Sequence, residues 1–167
     1  MKKVCSFCTT VISPGVMPDE PASHGVCPDC YDRILTDHGF NANRFLNLLD
    51  SPVLLVDADV RVLAANSLAL DLVGKTMEDI RGSLGGDVLE CINASRPKGC
   101  GKTDLCPDCV FRASVTETYT TGRPVSRRAA VLLKKDGSTL VQIPFCVSTR
   151  KDGSVVLLRL QPAKGDC

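Results

Sequence analysis

Ten of the 167 residues are cysteine, and their spacing is the chain's main chemical signal. Cys5-x-x-Cys8 and Cys27-x-x-Cys30 form one set, with 18 residues between the pairs. Two residues between cysteines let the backbone turn tightly enough for both thiolates to face one ion. Two such pairs complete a tetrahedron at about 2.3 Å per zinc–sulfur bond, the pattern of a zinc ribbon or treble clef. A four-thiolate site has no open coordination position, so a structural zinc is expected here rather than a catalytic one. His24 is an alternative ligand, but four thiolates already suffice. A leader of this length buries too little apolar surface to fold unaided. Structural zinc supplies about 10–16 kcal/mol in such modules, enough to fold it.

The second set is Cys91-x8-Cys100-x5-Cys106-x2-Cys109. Gly99 and Gly101 flank Cys100 with flexible backbone, and Cys106-Pro-Asp-Cys109 is a compact pair leading into a helix. Four cysteines this close in a reducing compartment point to a metal. Zinc needs one tetrahedron of thiolates, and a 4Fe–4S cluster also takes four. Arg96, Lys98, Lys102 and Arg112 are near in sequence and would offset the thiolate charge of either centre. Gly101-Lys102-Thr103 resembles the end of a phosphate loop, but Arg96 stands where that loop requires glycine, so nucleotide binding is rejected. Cys146 lies in an apolar run and reads as core filler, and Cys167 reads as a frayed terminal residue.

The rest of the composition narrows the function. Twenty Lys and Arg balance 19 Asp and Glu, which gives no reason to expect nucleic acid. The chain has no Trp, two Tyr and five Phe, too few for a base-stacking platform. No apolar run approaches the roughly 18–20 residues that cross a bilayer, so no membrane contact is expected. Two lysines near the start are not followed by an apolar stretch, which excludes a signal peptide. The expectation is a cytoplasmic protein with all ten cysteines reduced. With only His24 and His38 available, no Ser–His–Asp constellation exists, and no enzyme activity is expected.

The elements that must hold these cysteines read as follows. Pro14, Gly15, Pro18 and Pro21 suit a loop or short hairpin between the first pairs. Tyr31–Leu35 reads as a helix, which places Cys27 and Cys30 at its N-terminus. Phe40–Leu49 has helical periodicity, with Phe45, Leu48 and Leu49 on one face. Val53–Val56 and Val60–Ala65 are strands across an Asp-rich turn. Asn66 is a plausible N-cap for a helix over Ser67–Val73 that Gly74 ends. Met77–Ile80 begins a short helix, and Val110–Thr121 is a longer one. Ser126–Lys134, Thr139–Ser148 and Val155–Gln161 are strands joined by Asp136-Gly137 and Asp152-Gly153, strong hairpin signals.

That order, with Leu49-Asp50-Ser51-Pro52 running into Val56-Asp57, then Val62–Asn66 and Thr118–Val125, resembles PAS sensor domains over about residues 42–162. The first cysteine set, with Ser23–Cys30, resembles a zinc-finger-like segment attached to some bacterial sensor kinases and PAS proteins. The second set looks like a cysteine-bearing insert of some PAS domains from anaerobic bacteria. The resemblance implies an α+β fold: a five-stranded antiparallel sheet, helices over one face, and a pocket between them. The expected organisation is a zinc module at 1–38, a PAS domain at 39–163 with a metal-binding insert at 91–109, and a disordered tail at 164–167.

The function expected is a redox or small-ligand sensor with no output domain of its own. It would act through a signalling partner such as a kinase or regulator, or through a homodimer built on Phe40–Leu49. Oxidation or loss of a cluster would free the Cys91–Cys109 loop and shift the helices over the pocket. The rival readings are a passive interaction module with two structural zinc sites and, more weakly, a thiol-dependent oxidoreductase.

Overall fold

The structure is a computed structural model that describes residues 2–15, 21–30, 33, 42–165 and 167. It divides into two compact units, Met1–Phe45 and Leu46–Cys167, each described by itself.

In the first unit, β1 (Lys3–Cys5), β2 (Val11–Ser13) and β3 (Ser23–Gly25) form a three-stranded sheet in the order β2-β1-β3. The β1–β2 pairing is antiparallel, so residues 6–10 form a hairpin that carries Cys8. β3 pairs with β1 in parallel and delivers the chain to Cys27. Residues 28–30 are helical. Apart from Arg33, the helix expected over Tyr31–Leu35 lies outside the described residues, as do Gly39 and Phe40.

The short helix α1 (Ala42–Leu46) leads into the second unit. The residue it buries lies off the face expected to carry Phe45 and Leu48. Leu46 is 2% exposed, while Phe45 is 55% and Leu48 is 83% exposed. The helix stops at Leu46 and a turn follows, so Leu48 never reaches the face that a continuous helix would share with Phe45.

β4 (Val53–Val56) and β5 (Val62–Ala65) form the expected antiparallel pair. Asn66 caps α2 (Ser67–Val73) by accepting from the Ala69 N–H, and Gly74 at φ 65° ends it in the left-handed region that glycine enters without penalty. Thr76 and Asp79 form a reciprocal capping box at α3 (Met77–Ile80). α4 (Gly85–Val88), a 3₁₀ turn over Cys106–Asp108 and α5 (Val110–Thr121) complete the crossover.

β6 (Val125–Asp136), β7 (Thr139–Asp152) and β8 (Val155–Pro162) are each longer than their sequence runs suggest. The five strands order as β5-β4-β8-β7-β6, all neighbours antiparallel. Alternate residues face the core: Ala130 and Leu132 from β6, Phe145 and Val147 from β7, Val156, Leu158 and Leu160 from β8. α5 packs across β6, β7 and β8, and Phe111 meets Phe145 edge-to-face with ring centroids 5.9 Å apart. Thr118 and Thr149, both buried, share a 2.6 Å hydroxyl contact that fixes α5 on the sheet. No helix among the described residues is long and apolar enough to cross a membrane.

The tail departs from the expectation of disorder. Ala163 donates to the Pro144 carbonyl, which continues the β7–β8 pairing one residue past Pro162, and the chain then bends at residues 164–165. The Cα of Cys167 lies 5.5 Å from that of Cys146, and the two are disulfide-bonded. Cys146 is buried as expected, but neither it nor Cys167 is a free thiol.

Candidate metal centres and the crossover cavity

In the first unit, Cys5 ends β1, Cys8 lies in the hairpin, and Cys27 and Cys30 flank the helical start. Their four sulfurs all lie within 4.8 Å of one another. Cys5, Cys27 and Cys30 are buried and Cys8 is exposed. His24, in β3, is exposed and is not one of the converging group.

The Cys27 N–H donates to Cys5 Sγ at 3.4 Å, and this and other backbone donors hold the Cys5 thiol down to about 6. The Thr10 hydroxyl lowers Cys8. Cys30 moves the other way, to about 12, because Cys8 and then Cys27 hydrogen-bond its protonated form and burial adds to the effect. Four thiols this close cannot all ionise without a counter-charge, and a divalent cation supplies it. The residues fit a single tetrahedral ion held in a small sheet.

The second set is arranged differently. Cys91, Cys100, Cys106 and Cys109 all line one cavity of about 440 Å³ between the crossover and the sheet. Among the described residues, no three of their sulfurs gather within 4.8 Å, as those of the first set do.

Separate anchors keep them apart. Cys91 bridges to Lys134 of β6, and the next residue, Ile92, donates to the Leu133 carbonyl at 2.8 Å. Glu90, at φ 57°, pairs with Lys75 and with Lys134, tying the same segment from its other side. Cys100 rests on α4, where a Cβ on Gly86 would lie 2.6 Å from its sulfur. Cys106 opens the 3₁₀ turn, and Cys109 caps α5.

Donors converge on two of these sulfurs. Cys106 Sγ accepts from the Gly101 N–H at 3.2 Å and lies 3.0 Å from the Thr103 hydroxyl. Burial alone would push its thiol up, but these contacts and the Arg112 charge outweigh it and the thiol is lowered. Cys109 is raised, first by burial and then by its thiol neighbours Cys91 and Cys100. Arg112 reaches Cys100 Sγ at 3.9 Å and donates to the Asp59 carbonyl at 3.1 Å.

Of the four cations near in sequence, Arg112 is the one that lines the cavity. Lys98 instead pairs with Asp104 at the surface. The sequence pattern assigned no role to Gly86 and pointed to Thr103 only through the rejected phosphate loop. The Gly85-Gly86 pair was a readable signal of close packing, whereas the Thr103 contact depends on the local turn.

No protein-family model matches the chain, and no curated protein does either. Solved structures do. The crystal structure of a LOV protein from Rhodobacter sphaeroides aligns with a TM-score of 0.51 at 14% identity, covering 77% of this chain and 68% of that one. The PAS domain of an HTR-like protein from Haloarcula marismortui aligns at 0.48 and 11% identity, covering 77% of this chain and 100% of that one. The PAS domain of nitrogen regulation protein NR(II) from Vibrio parahaemolyticus aligns at 0.45 and 15% identity, covering 72% and 96%. The second unit has a PAS-like α+β fold, with the five-stranded antiparallel sheet and crossover helices described above.

Proposed function

We propose that the protein is a signal-sensing PAS protein whose sensing centre is the cavity ringed by Cys91, Cys100, Cys106 and Cys109. The observation that carries this reading is the cavity itself. It is a partly open cleft of about 440 Å³ between the crossover and the sheet, bordered by four thiols among largely apolar side chains. A passive interaction module has no need of that space, since filling it with apolar side chains would stabilise the domain.

Cys5, Cys8, Cys27 and Cys30 hold a structural zinc that folds the leader. Cys91, Cys100, Cys106 and Cys109 hold a second metal centre, zinc or a 4Fe–4S cluster, and the signal is redox state or a small ligand. The protein is a sensor and not an enzyme, and it works in the cytoplasm. It acts through a signalling partner such as a kinase or regulator, or through self-association.

Arg112 supplies a route out of the cavity, because it touches both Cys100 and the Asp59 carbonyl in the β4–β5 turn. Loss of the second metal frees the segment between Cys91 and Cys109, and Arg112 carries that change to the turn.

Hydrogen exchange on the metal-loaded and metal-stripped full chain tests this, with light scattering on the same samples. The sensor reading expects exchange to rise in the 91–109 segment and also in the β4–β5 turn. Identical exchange outside residues 91–109, with no change in association, overturns it.

A further inference from the structure

The second centre admits a sharper assignment, one that rests on the metal-binding reading above. A single zinc ion with bonds of about 2.3 Å brings its four sulfurs to about 3.8 Å from one another. The first set is gathered on that scale, with Cys8 and Cys27 sulfurs 3.5 Å apart. The second set is not gathered on it. Among the described residues, no three of its sulfurs gather within 4.8 Å and no hydrogen bond joins two of them. Yet all four border one cavity.

That spread is built into the backbone. Cys91 is tied to β6 through Lys134 and Leu133, and Cys109 is held at the start of α5. Thiolates that each hold a different metal ion stand further apart than thiolates that share one ion.

The donor pattern agrees. The Gly101 N–H, the Thr103 hydroxyl and the Arg112 guanidinium are directed at sulfur atoms. Hydrogen bonds to sulfur, net charge and solvent exposure are the means by which proteins tune iron–sulfur clusters. A four-iron cluster with four thiolates carries excess negative charge, and Arg112 is the cation beside it. The remaining wall is largely apolar, including Phe111 and Leu158.

We infer that Cys91, Cys100, Cys106 and Cys109 each ligate one iron of a 4Fe–4S cluster seated in the crossover cavity.

The test is purification of the full chain without oxygen, or its oxygen-free reconstitution with equal ferrous and ferric iron and sulfide in the presence of zinc. Iron, acid-labile sulfide and zinc are measured, with a visible spectrum before and after dithionite. The expected result is about four iron and four sulfide per chain beside about one zinc, and a broad visible band that dithionite bleaches. Gly86→Ala provides a variant that keeps all four ligands, because its new methyl would displace the Cys100 sulfur. It should lower iron content severalfold while zinc at the first site stays unchanged. Two zinc per chain with no iron overturns the cluster but leaves a metal-based sensor standing. One zinc and no second metal under either condition overturns both. A full cluster with no change in exchange beyond residues 91–109 keeps this assignment and rejects the sensor reading.

Discussion

The Arg112 guanidinium lies 3.9 Å from Cys100 Sγ while donating to the Asp59 carbonyl at 3.1 Å. One side chain thus joins the cysteine cavity to the β4–β5 turn. Arg112→Ala removes a cation and a donor from the sulfur environment. If the proposed cluster is present, its loss in air should quicken by about fivefold, the equivalent of about 1 kcal/mol for one hydrogen bond. Arg112→Lys should recover only part of this, since an ammonium lacks the planar fork that spans two acceptors. Following the decay of visible absorption measures both. An unchanged decay rate would mean that the contact plays no part in holding the centre.

The first set predicts a local unfolding. Cys27→Ser, or chelation of zinc, should cost the three-stranded sheet of residues 3–25 its order and leave the melting of the second unit unchanged. The reason is that each unit has its own internal contacts. Limited proteolysis and calorimetry on the same sample distinguish the two units. The pH sign follows from ligand chemistry: zinc requires thiolates, so protons compete with it and affinity falls as pH falls. The Cys5 thiol, held down to about 6 by backbone donors, keeps its thiolate further into that descent than an ordinary thiol does.

Asn66 predicts a large effect from one small side chain. It is 1% exposed, and its amide oxygen accepts from Val53 N–H at 3.0 Å and from Ala69 N–H at 2.9 Å. Its amide nitrogen donates to the carbonyls of Leu46 and Ser51. It therefore caps α2 and also locks the approach to β4. Asn66→Ala strands several buried backbone groups at once and should cost about 3 kcal/mol in urea unfolding. A loss under about 1 kcal/mol would show that water replaces those partners.

The Cys146–Cys167 bond closes a loop across 21 positions. Breaking it with Cys167→Ser should lower stability by about 3 kcal/mol under oxidising conditions and by nothing once the parent is reduced. Thiol counting on the unfolded, metal-free chain provides the direct check. Eight free thiols are expected without reductant and ten with it, and ten in both would remove the bond from the account.

Much of this protein follows from local chemistry, and local chemistry is legible in a sequence. The Cys-x-x-Cys pairs, the Asn66 and Gly74 caps and the two Asp-Gly hairpins depend on residues a few positions apart. They stand where spacing places them. The strand and helix order that resembles a PAS domain is equally a sum of local signals.

What only the tertiary structure decided depends on contacts between distant segments. Whether Cys91 and Cys109 converge on one ion or stand apart is set by the pairing of Cys91 with Lys134 and by the seat of α5 on the sheet. Spacing within residues 91–109 carries no record of either. The same holds for Leu46, buried while Phe45 and Leu48 stay exposed, and for Cys167, brought to Cys146 by the bend after β8. A short spacing constrains geometry directly, because few backbone paths connect two nearby residues. A long one leaves the separation to packing, and packing is a property of the whole fold.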